Sequence, residues 1–196
     1  MKIKKLQSIT NSKGLTLLEL MITVAIIGIL AGLAASTMSN DRTTLRSAAR
    51  DIVSNVQKVR FRALETGRTW AVEFDTESEI PSYKIIDSGK DGKLNTTDDK
   101  IYKIVSFEDY PGISFGSSYG AAPKDYGETD ISDGISAYEN RFIFNDDGTT
   151  GYDDKTKKSQ GVVYIKTEKG DTFAVGMVSA AGMIKTWHND GSGWED

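Results

Sequence analysis

Residues 15–38 read LTLLELMITVAIIGILAGLAASTM and carry a single charge, that of Glu19. A helix rises about 1.5 Å per residue, so this stretch is long enough to cross a hydrocarbon core of about 30 Å. The preceding residues 1–14 contain four lysines and no acidic residue. Because positive charge is retained on the cytoplasmic side, we expect the N-terminus to stay in the cytoplasm and the rest of the chain to be translocated.

Two common interpretations of such a segment leave one of its features unexplained. A cleaved secretory signal would use Ala34-Ala35-Ser36 as its small-residue site, but the apolar core of such a signal is usually shorter. A simple membrane anchor explains the length and the lysines but not the carboxylate of Glu19. A carboxylate inside an apolar span is costly to bury in lipid, and it therefore suggests a function.

A third interpretation accounts for all of these features. Residues 13–30, KGLTLLELMITVAIIGIL, closely resemble the N-terminal signal of type IV pilins and type II secretion pseudopilins. The resemblance implies that a prepilin peptidase cuts between Gly14 and Leu15 and methylates the new amine of Leu15. It also implies that Glu19 pairs with the N-terminal amine of a neighbouring subunit and so sets the register of a filament. Leu15 stands where the family usually has phenylalanine, and it keeps the apolar character of that position.

The helical pattern continues beyond the apolar segment. Apolar residues recur every three or four positions between residues 41 and 66, and Gly67 is placed to end the helix in a left-handed cap. The recurring positions are Leu45, Ala48, Ala49, Ile52, Val53, Val56, Val59 and Ala63. We expect the helix to be apolar on all sides in its first half and on one stripe in its second half, which would pack on a head domain.

After Gly67 the pattern changes to short segments of β type. We expect strands at 69–75, 83–86, 101–107, 112–115, 141–144, 162–166, 172–179 and 183–187. The sequence thus predicts an α+β protein of pilin-like lollipop shape, in which a long N-terminal helix packs its amphipathic half on an antiparallel β-sheet head. The expected regions are a cleaved basic leader (1–14), a transmembrane and assembly helix (15–40), and a periplasmic head (41–196) made of the amphipathic helix 41–66 and a β part at 68–187.

Later segments resemble the GspH/FimT-type minor pseudopilins more loosely. In that group a leucine, a glutamine, an arginine and an alanine precede the first strand at fixed spacing, and a serine–glycine turn precedes the last strand. The matching residues are Ile52, Gln57, Arg60 and Ala63, then Ser179 and Gly182. The stretch RFIFNDDGTT, residues 141–150, resembles the strand and glycine turn that lie between them.

Residues 87–100, DSGKDGKLNTTDDK, are the best candidate for a cation site. The candidate ligands, at positions one, five, nine and twelve of an EF-hand-like loop, are Asp87, Asp91, Asn95 and Asp98. The same letters resemble the calcium loop of major type II pseudopilins. Gly89, however, stands where a ligand is expected, and a surface turn rich in Asp, Gly and Asn explains the composition as well. The sequence indicates no cofactor that the protein requires. Calcium is the only ion that it suggests as a ligand.

The composition argues against catalysis and against nucleic acid as a ligand. The chain has no cysteine and a single histidine, His188, which excludes thiolate sites and two-histidine metal sites. Removal of residues 1–14 would leave 20 Lys and Arg against 28 Asp and Glu, a balance that disfavours binding to phosphates. We expect the small basic loop with Lys155, Lys157 and Lys158 to be solvated.

These features predict a structural subunit and not an enzyme. We expect a minor pilin or pseudopilin of a type II secretion pseudopilus or a type IV pilus, with one span in the bacterial inner membrane and its C-terminal head in the periplasm. The resemblance implies as partners the prepilin peptidase, other pilins or pseudopilins of the filament, and an inner-membrane assembly platform with its ATPase. The alternative is a tip adhesin or a DNA-uptake receptor subunit of a type IV pilus.

Overall fold

The computed structural model describes residues 16–125, 131–151 and 160–196, without the side chains of residues 34–40. The chain divides into two compact units, Met1–Ser39 and Asn40–Asp196. Helix α1 (Leu17–Thr66) contributes its first part to one unit and its second part to the other. The described strands all belong to the second unit.

Helix α1 ends where the sequence predicts. Gly67 has a φ of +60°, and its N–H donates to the carbonyl oxygen of Ala63 at 2.9 Å. This left-handed conformation is strained for a residue with a Cβ, so glycine is the favoured residue at this position. Beyond the cap, the indole Nε1 of Trp70 donates to Thr66 Oγ1 at 2.9 Å and fixes the start of the first strand against the helix.

Eight strands follow the helix in the described part of the chain, one in each of the eight segments that the sequence predicts. They are β1 (Trp70–Asp75), β2 (Ser82–Asp87), β3 (Lys100–Ser106), β4 (Ile113–Phe115), β5 (Arg141–Phe144), β6 (Gly161–Thr167), β7 (Thr172–Met177) and β8 (Ile184–Asn189). They form two four-stranded sheets, in the orders β3-β2-β1-β5 and β4-β6-β7-β8, and every pair is antiparallel. The structure therefore has the predicted α+β fold, with two sheets in its head.

The second part of α1 packs its apolar stripe against both sheets. Seven of the eight predicted stripe residues are buried, and the eighth, Val53, is half-buried. One cluster joins them to side chains of the first sheet, such as Phe74 and Phe142, and of the second sheet, such as Val163 and Val175. Burial of this apolar surface is the main source of stability that ties the helix to the head.

The second sheet is covered on its other face as well. There Val162, Tyr164, Ala174 and Trp187 form a separate buried cluster with Ala122. The Tyr164 hydroxyl donates to Asp125 Oδ2 at 2.6 Å and accepts from the Ala122 N–H at 2.9 Å. Strands β6 and β7 are consequently buried on both faces, which explains their nearly continuous apolar sequence.

Candidate functional site

Glu19 caps the helix to which it belongs. The N–H and Oγ1 of Thr16 both donate to Glu19 Oε2 at 3.0 Å, and the Glu19 N–H donates to Thr16 Oγ1 at 3.2 Å. This is a reciprocal capping box, in which the first N–H groups of the helix gain partners. Sequence reasoning missed it, although the T-x-x-E spacing is its signature. Gly14 and Leu15 lie outside the described residues, so cleavage between them stays a prediction.

The first part of α1 exposes its large apolar side chains. Eleven of them between Leu17 and Leu33 have exposed fractions of 51% to 78%. Within the described residues, no helix meets the length and apolarity needed to cross a membrane. The predicted span, 15–38, includes Leu15 and the side chains of 34–38, which lie outside the described part. An apolar surface of this extent is unfavourable in water and requires a covering environment.

Asp98 closes the loop that the sequence marks as a candidate cation site. Its Oδ2 accepts from the N–H groups of Lys90 at 2.7 Å and Asp91 at 3.2 Å, and its Oδ1 accepts from Thr96 Oγ1 at 2.6 Å. These hydrogen bonds, that of the Thr96 hydroxyl above all, lower the pKa of Asp98 to about 2. Gly89 has a φ of +73°, and a Cβ there would overlap the Asp98 carboxylate. Glycine is therefore required at the position where an EF-hand would have a ligand.

The other three candidate ligands have separate partners. Asp87 is buried and forms an ion pair with Arg68 at 2.7 Å, while Asp91 Oδ1 accepts from the Lys93 N–H at 2.9 Å. Asn95 Oδ1 accepts from Arg141 Nη1 at 2.7 Å.

The structure therefore does not bring the four predicted ligands together. The described residues include no group of three or more His, Cys, Asp or Glu side chains that could hold a metal ion. Calcium binding here stays a prediction, and it requires these side chains to exchange the partners that they have.

Two glycines from the segments of the looser resemblance, Gly148 and Gly182, contact Arg60. Its Nε donates to the carbonyl oxygen of Gly148 at 3.1 Å, and its Nη1 donates to that of Gly182 at 3.4 Å. Gly148 follows β5 of the first sheet, and Gly182 lies in the turn between β7 and β8 of the second. A Cβ at Gly182 would lie 3.0 Å from Arg60 Nε. Arg60 therefore links the helix to one turn from each sheet, an arrangement that we call the Arg60 clamp.

A groove of about 570 Å³ lies between α1 and strand β8, and we call it the α1–β8 groove. Arg46, Arg50 and Val53 line its helical wall, and Phe173, Thr186 and His188 line the sheet wall. The His188 ring stacks on Phe173 with the ring centroids 5.0 Å apart. Its backbone N–H and carbonyl pair with the carbonyl and N–H of Glu195, both at 2.9 Å. Glu195 and Asp196 also line the groove, so its walls carry charges of both signs beside apolar side chains.

Comparison with known proteins finds one family and one curated relative that are similar to this chain. The family described as prokaryotic N-terminal methylation motif matches residues 9–35. A curated relative, Pilin-like protein PilA1 from Thermus thermophilus, is 37% identical over 65 residues, which are 33% of this chain and 42% of the relative. The chain thus spans less than half of that relative's length. No solved structure gives a significant match.

The motif and the relative together support the type IV pilin superfamily for this chain. The α+β fold, with a helix packed on antiparallel sheets, agrees with that superfamily as the sequence predicted it. Neither comparison distinguishes the GspH/FimT subtype from other pilins.

Proposed function

We propose that this chain is a minor pilin or pseudopilin, a structural subunit of a type II secretion pseudopilus or a type IV pilus. The observation that supports this most strongly is the methylation motif at residues 9–35, which includes Gly14, Leu15 and Glu19. In this proposal the prepilin peptidase cuts after Gly14 and methylates Leu15. The function is mechanical, since the protein acts by taking its place in a filament.

The exposed apolar part of α1 supplies the surface that such a subunit needs. Before assembly it is held in the bacterial inner membrane, and the lysines of residues 1–14 keep the leader in the cytoplasm. The head, 41–196, then lies in the periplasm. In the filament the same side chains pack against the helices of other pilins, so they remain out of water in both states.

Glu19 can serve both its own helix and a neighbour. Its capping contacts use Oε2, while no described residue donates to Oε1. Cleavage after Gly14 would place a new positive amine on Leu15 of every subunit. When the amine of a neighbouring subunit reaches Oε1, it forms an ion pair with the Glu19 carboxylate. Each of these two charges would be costly to bury without the other. The ion pair therefore favours the correct register between adjacent subunits of the filament over registers in which the two charges do not meet.

The remaining partners follow from the same proposal. An inner-membrane assembly platform with its ATPase adds subunits from below, and the chain itself is not an enzyme. The proposed reaction on the chain is limited to leader cleavage and methylation by the peptidase.

Sheared filaments from the native host test this proposal. An antibody against the chain should detect it in the filament fraction of wild-type cells and not in cells that lack the prepilin peptidase. Gly14→Val should accumulate as an uncut membrane precursor, because the peptidase site requires a residue without a bulky side chain. Ser12→Val is the matched control and should be cut normally. Assembly of uncut Gly14→Val into filaments would contradict the proposal.

A further inference from the structure

The part of α1 that belongs to the head begins with two charged residues. The boundary between the two compact units follows Ser39, so Asp41 and Arg42 lie in the first turn of α1 within the head. Leu45, the first residue of the apolar stripe, is buried one turn further along the helix. Asp41 and Arg42 therefore precede the buried stripe, and any contact that they form holds the helix at the edge of the head.

Arg42 contacts carboxylates from two segments of the second sheet. Its Nε donates to Asp171 Oδ2 at 3.0 Å and its Nη2 donates to Asp171 Oδ1 at 3.3 Å, which makes a bidentate ion pair. The same Nη2 lies 3.5 Å from Asp190 Oδ2. Asp171 belongs to the turn between β6 and β7, and Asp190 directly follows β8. One guanidinium thus joins the helix to both segments.

Asp41 forms a second ion pair with the same turn. Lys169 Nζ donates to Asp41 Oδ2 at 2.7 Å. Successive residues of a helix project about 100° apart, so the pairs of Asp41 and Arg42 resist rotation of the helix as well as its separation from the turn. The turn is itself held closed, because the Thr167 N–H donates to the carbonyl oxygen of Asp171 at 3.0 Å.

The position of these ion pairs matters because helix formation is cooperative. Opening that starts in the first part of α1 can pass along the helix from residue to residue until tertiary contacts hold the chain. A single exposed ion pair contributes little to such resistance, whereas bidentate arginine–carboxylate pairs and connected sets of charges contribute measurably. The side chain of Asp171 is only 14% exposed, so its pair with Arg42 is screened less than a pair in open solvent.

We propose that Asp41, Arg42, Lys169, Asp171 and Asp190 form a clasp, the Arg42 clasp, that stops local opening of α1 at the edge of the head. Opening that begins in the first part of α1 ends before Asp41, and the apolar stripe stays packed. A load on the first part then passes into the second sheet through the β6–β7 turn and does not peel the stripe from its N-terminal end. The clasp is independent of the proposed function, but its use under load rests on that function, because a filament subunit is held by its apolar helix.

Hydrogen exchange of the full-length chain in detergent, followed by mass spectrometry, tests the clasp. A peptide that covers residues 41–48 reports on opening at the edge of the head, and one that covers 52–63 reports on the middle of the stripe. We expect Arg42→Met and Asp171→Ala each to speed exchange in 41–48 roughly two- to fivefold and to leave 52–63 unchanged. Arg46→Met is the matched control, because Arg46 is exposed one turn further along and forms no ion pair with the described residues.

A double variant shows whether the two residues act together. Arg42→Met combined with Asp171→Ala should exchange no faster than Arg42→Met alone, because both changes break the same ion pair. Unchanged exchange in 41–48, or effects that add in the double variant, would overturn the clasp. Equal acceleration in 41–48 and 52–63 would also overturn it, since the ion pair would then stabilise the whole head and not its edge. None of these outcomes bears on the proposed function, which the filament fraction tests separately.

Discussion

The two parts of helix α1 share one secondary structure but differ in what surrounds them. In the first part, from Leu17 to Leu33, the large apolar side chains are exposed on every side. In the second part, from Leu45 to Ala63, the apolar residues follow one stripe and are buried against two sheets. Helix formation therefore does not reveal the environment of a segment, whereas the angular distribution of its apolar residues does.

Because their surroundings differ, we expect the two parts of α1 to have different roles, one in the stability of the head and the other in assembly. The second part contributes to the free energy of unfolding of the head, because it buries its stripe within the same unit. The first part has no such partner among the described residues of its own unit, so we expect its apolar surface to add little to the stability of the head. Substitutions in the two parts should have different consequences.

A matched pair of isoleucine substitutions gives the largest expected contrast. Ile52 is fully buried in the core, and Ile52→Ala should lower the free energy of unfolding of the head by about 2–5 kcal/mol because it removes buried contacts and leaves a cavity. Ile26→Ala, in the first part, should leave it unchanged. All three tryptophans lie in the second unit, so denaturant unfolding of the full chain in detergent, followed by fluorescence, reports on the head. If both variants lower the free energy of unfolding equally, the two parts of α1 do not differ in their contribution to the stability of the head.

The Arg60 clamp gives the next effect. Arg60→Met keeps an apolar stem but leaves the carbonyl groups of Gly148 and Gly182 without their donor, and Gly182 is buried. We expect a loss of about 1–3 kcal/mol in the same unfolding measurement. Arg46→Met is the control, because Arg46 is exposed and lacks an ion pair in the described chain, and it should change stability little. If Arg60→Met leaves the free energy of unfolding unchanged, the two turns keep their positions without the clamp.

Substitutions at Glu19 test the first part of the helix, and we expect them to change stability less than the preceding variants do. Glu19→Gln keeps a side chain that can accept from Thr16 and complete the capping box, whereas Glu19→Ala removes the acceptor for the Thr16 N–H. Both variants lose the charge that would pair with a neighbour's amine. We therefore expect both to be cleaved normally and both to be deficient in the filament fraction. Normal assembly of Glu19→Gln would indicate that capping suffices and that charge pairing is not required.

The smallest expected effect concerns the loop closed by Asp98. Its pKa, about 2, lies below the usual value, so the native state favours the ionised carboxylate. This contribution to stability is complete above about pH 4 and is lost as the pH falls through about 2. NMR titration should show the amide signals of Lys90 and Asp91 shifting with a midpoint near that pKa, and Asp98→Asn should abolish the transition. A midpoint near pH 4 would show that the hydrogen bonds of the loop do not form in solution.

The same amide signals test the calcium hypothesis. Millimolar Ca²⁺ should shift them and raise the melting temperature if the side chains of the loop can leave their present partners. Asp91→Ala should then remove the response. Without any shift in the wild-type chain, residues 87–98 are an acidic surface turn that is held by Asp98.

The sequence predicts the elements of this fold well because their signals are local. The stripe on α1, the cap at Gly67 and the eight described strands arise from periodicity and from turn residues. The division into two sheets was not predicted, because β5 pairs with β1 across some seventy residues, and tertiary packing decides such pairings.

The candidate sites follow the same division between local and long-range signals. Asp98, a candidate calcium ligand, accepts hydrogen bonds from two backbone amides, an interaction that depends on the path of the loop, and calcium binding there stays a prediction. Arg60 was found through resemblance alone, and its contacts with two distant turns have no sequence signal. The capping box of Glu19 did have one, in its spacing from Thr16.

Mass spectrometry of the N-terminus tests the central claim most directly. The full-length chain is produced together with a prepilin peptidase, extracted from the membrane and digested. The account predicts an N-terminal peptide that begins at Leu15 with a methylated amine, and it predicts no such peptide when the peptidase is omitted. An intact N-terminus at Met1 in the presence of an active peptidase, or a cut near Ala35, would contradict the assignment of this chain as a prepilin.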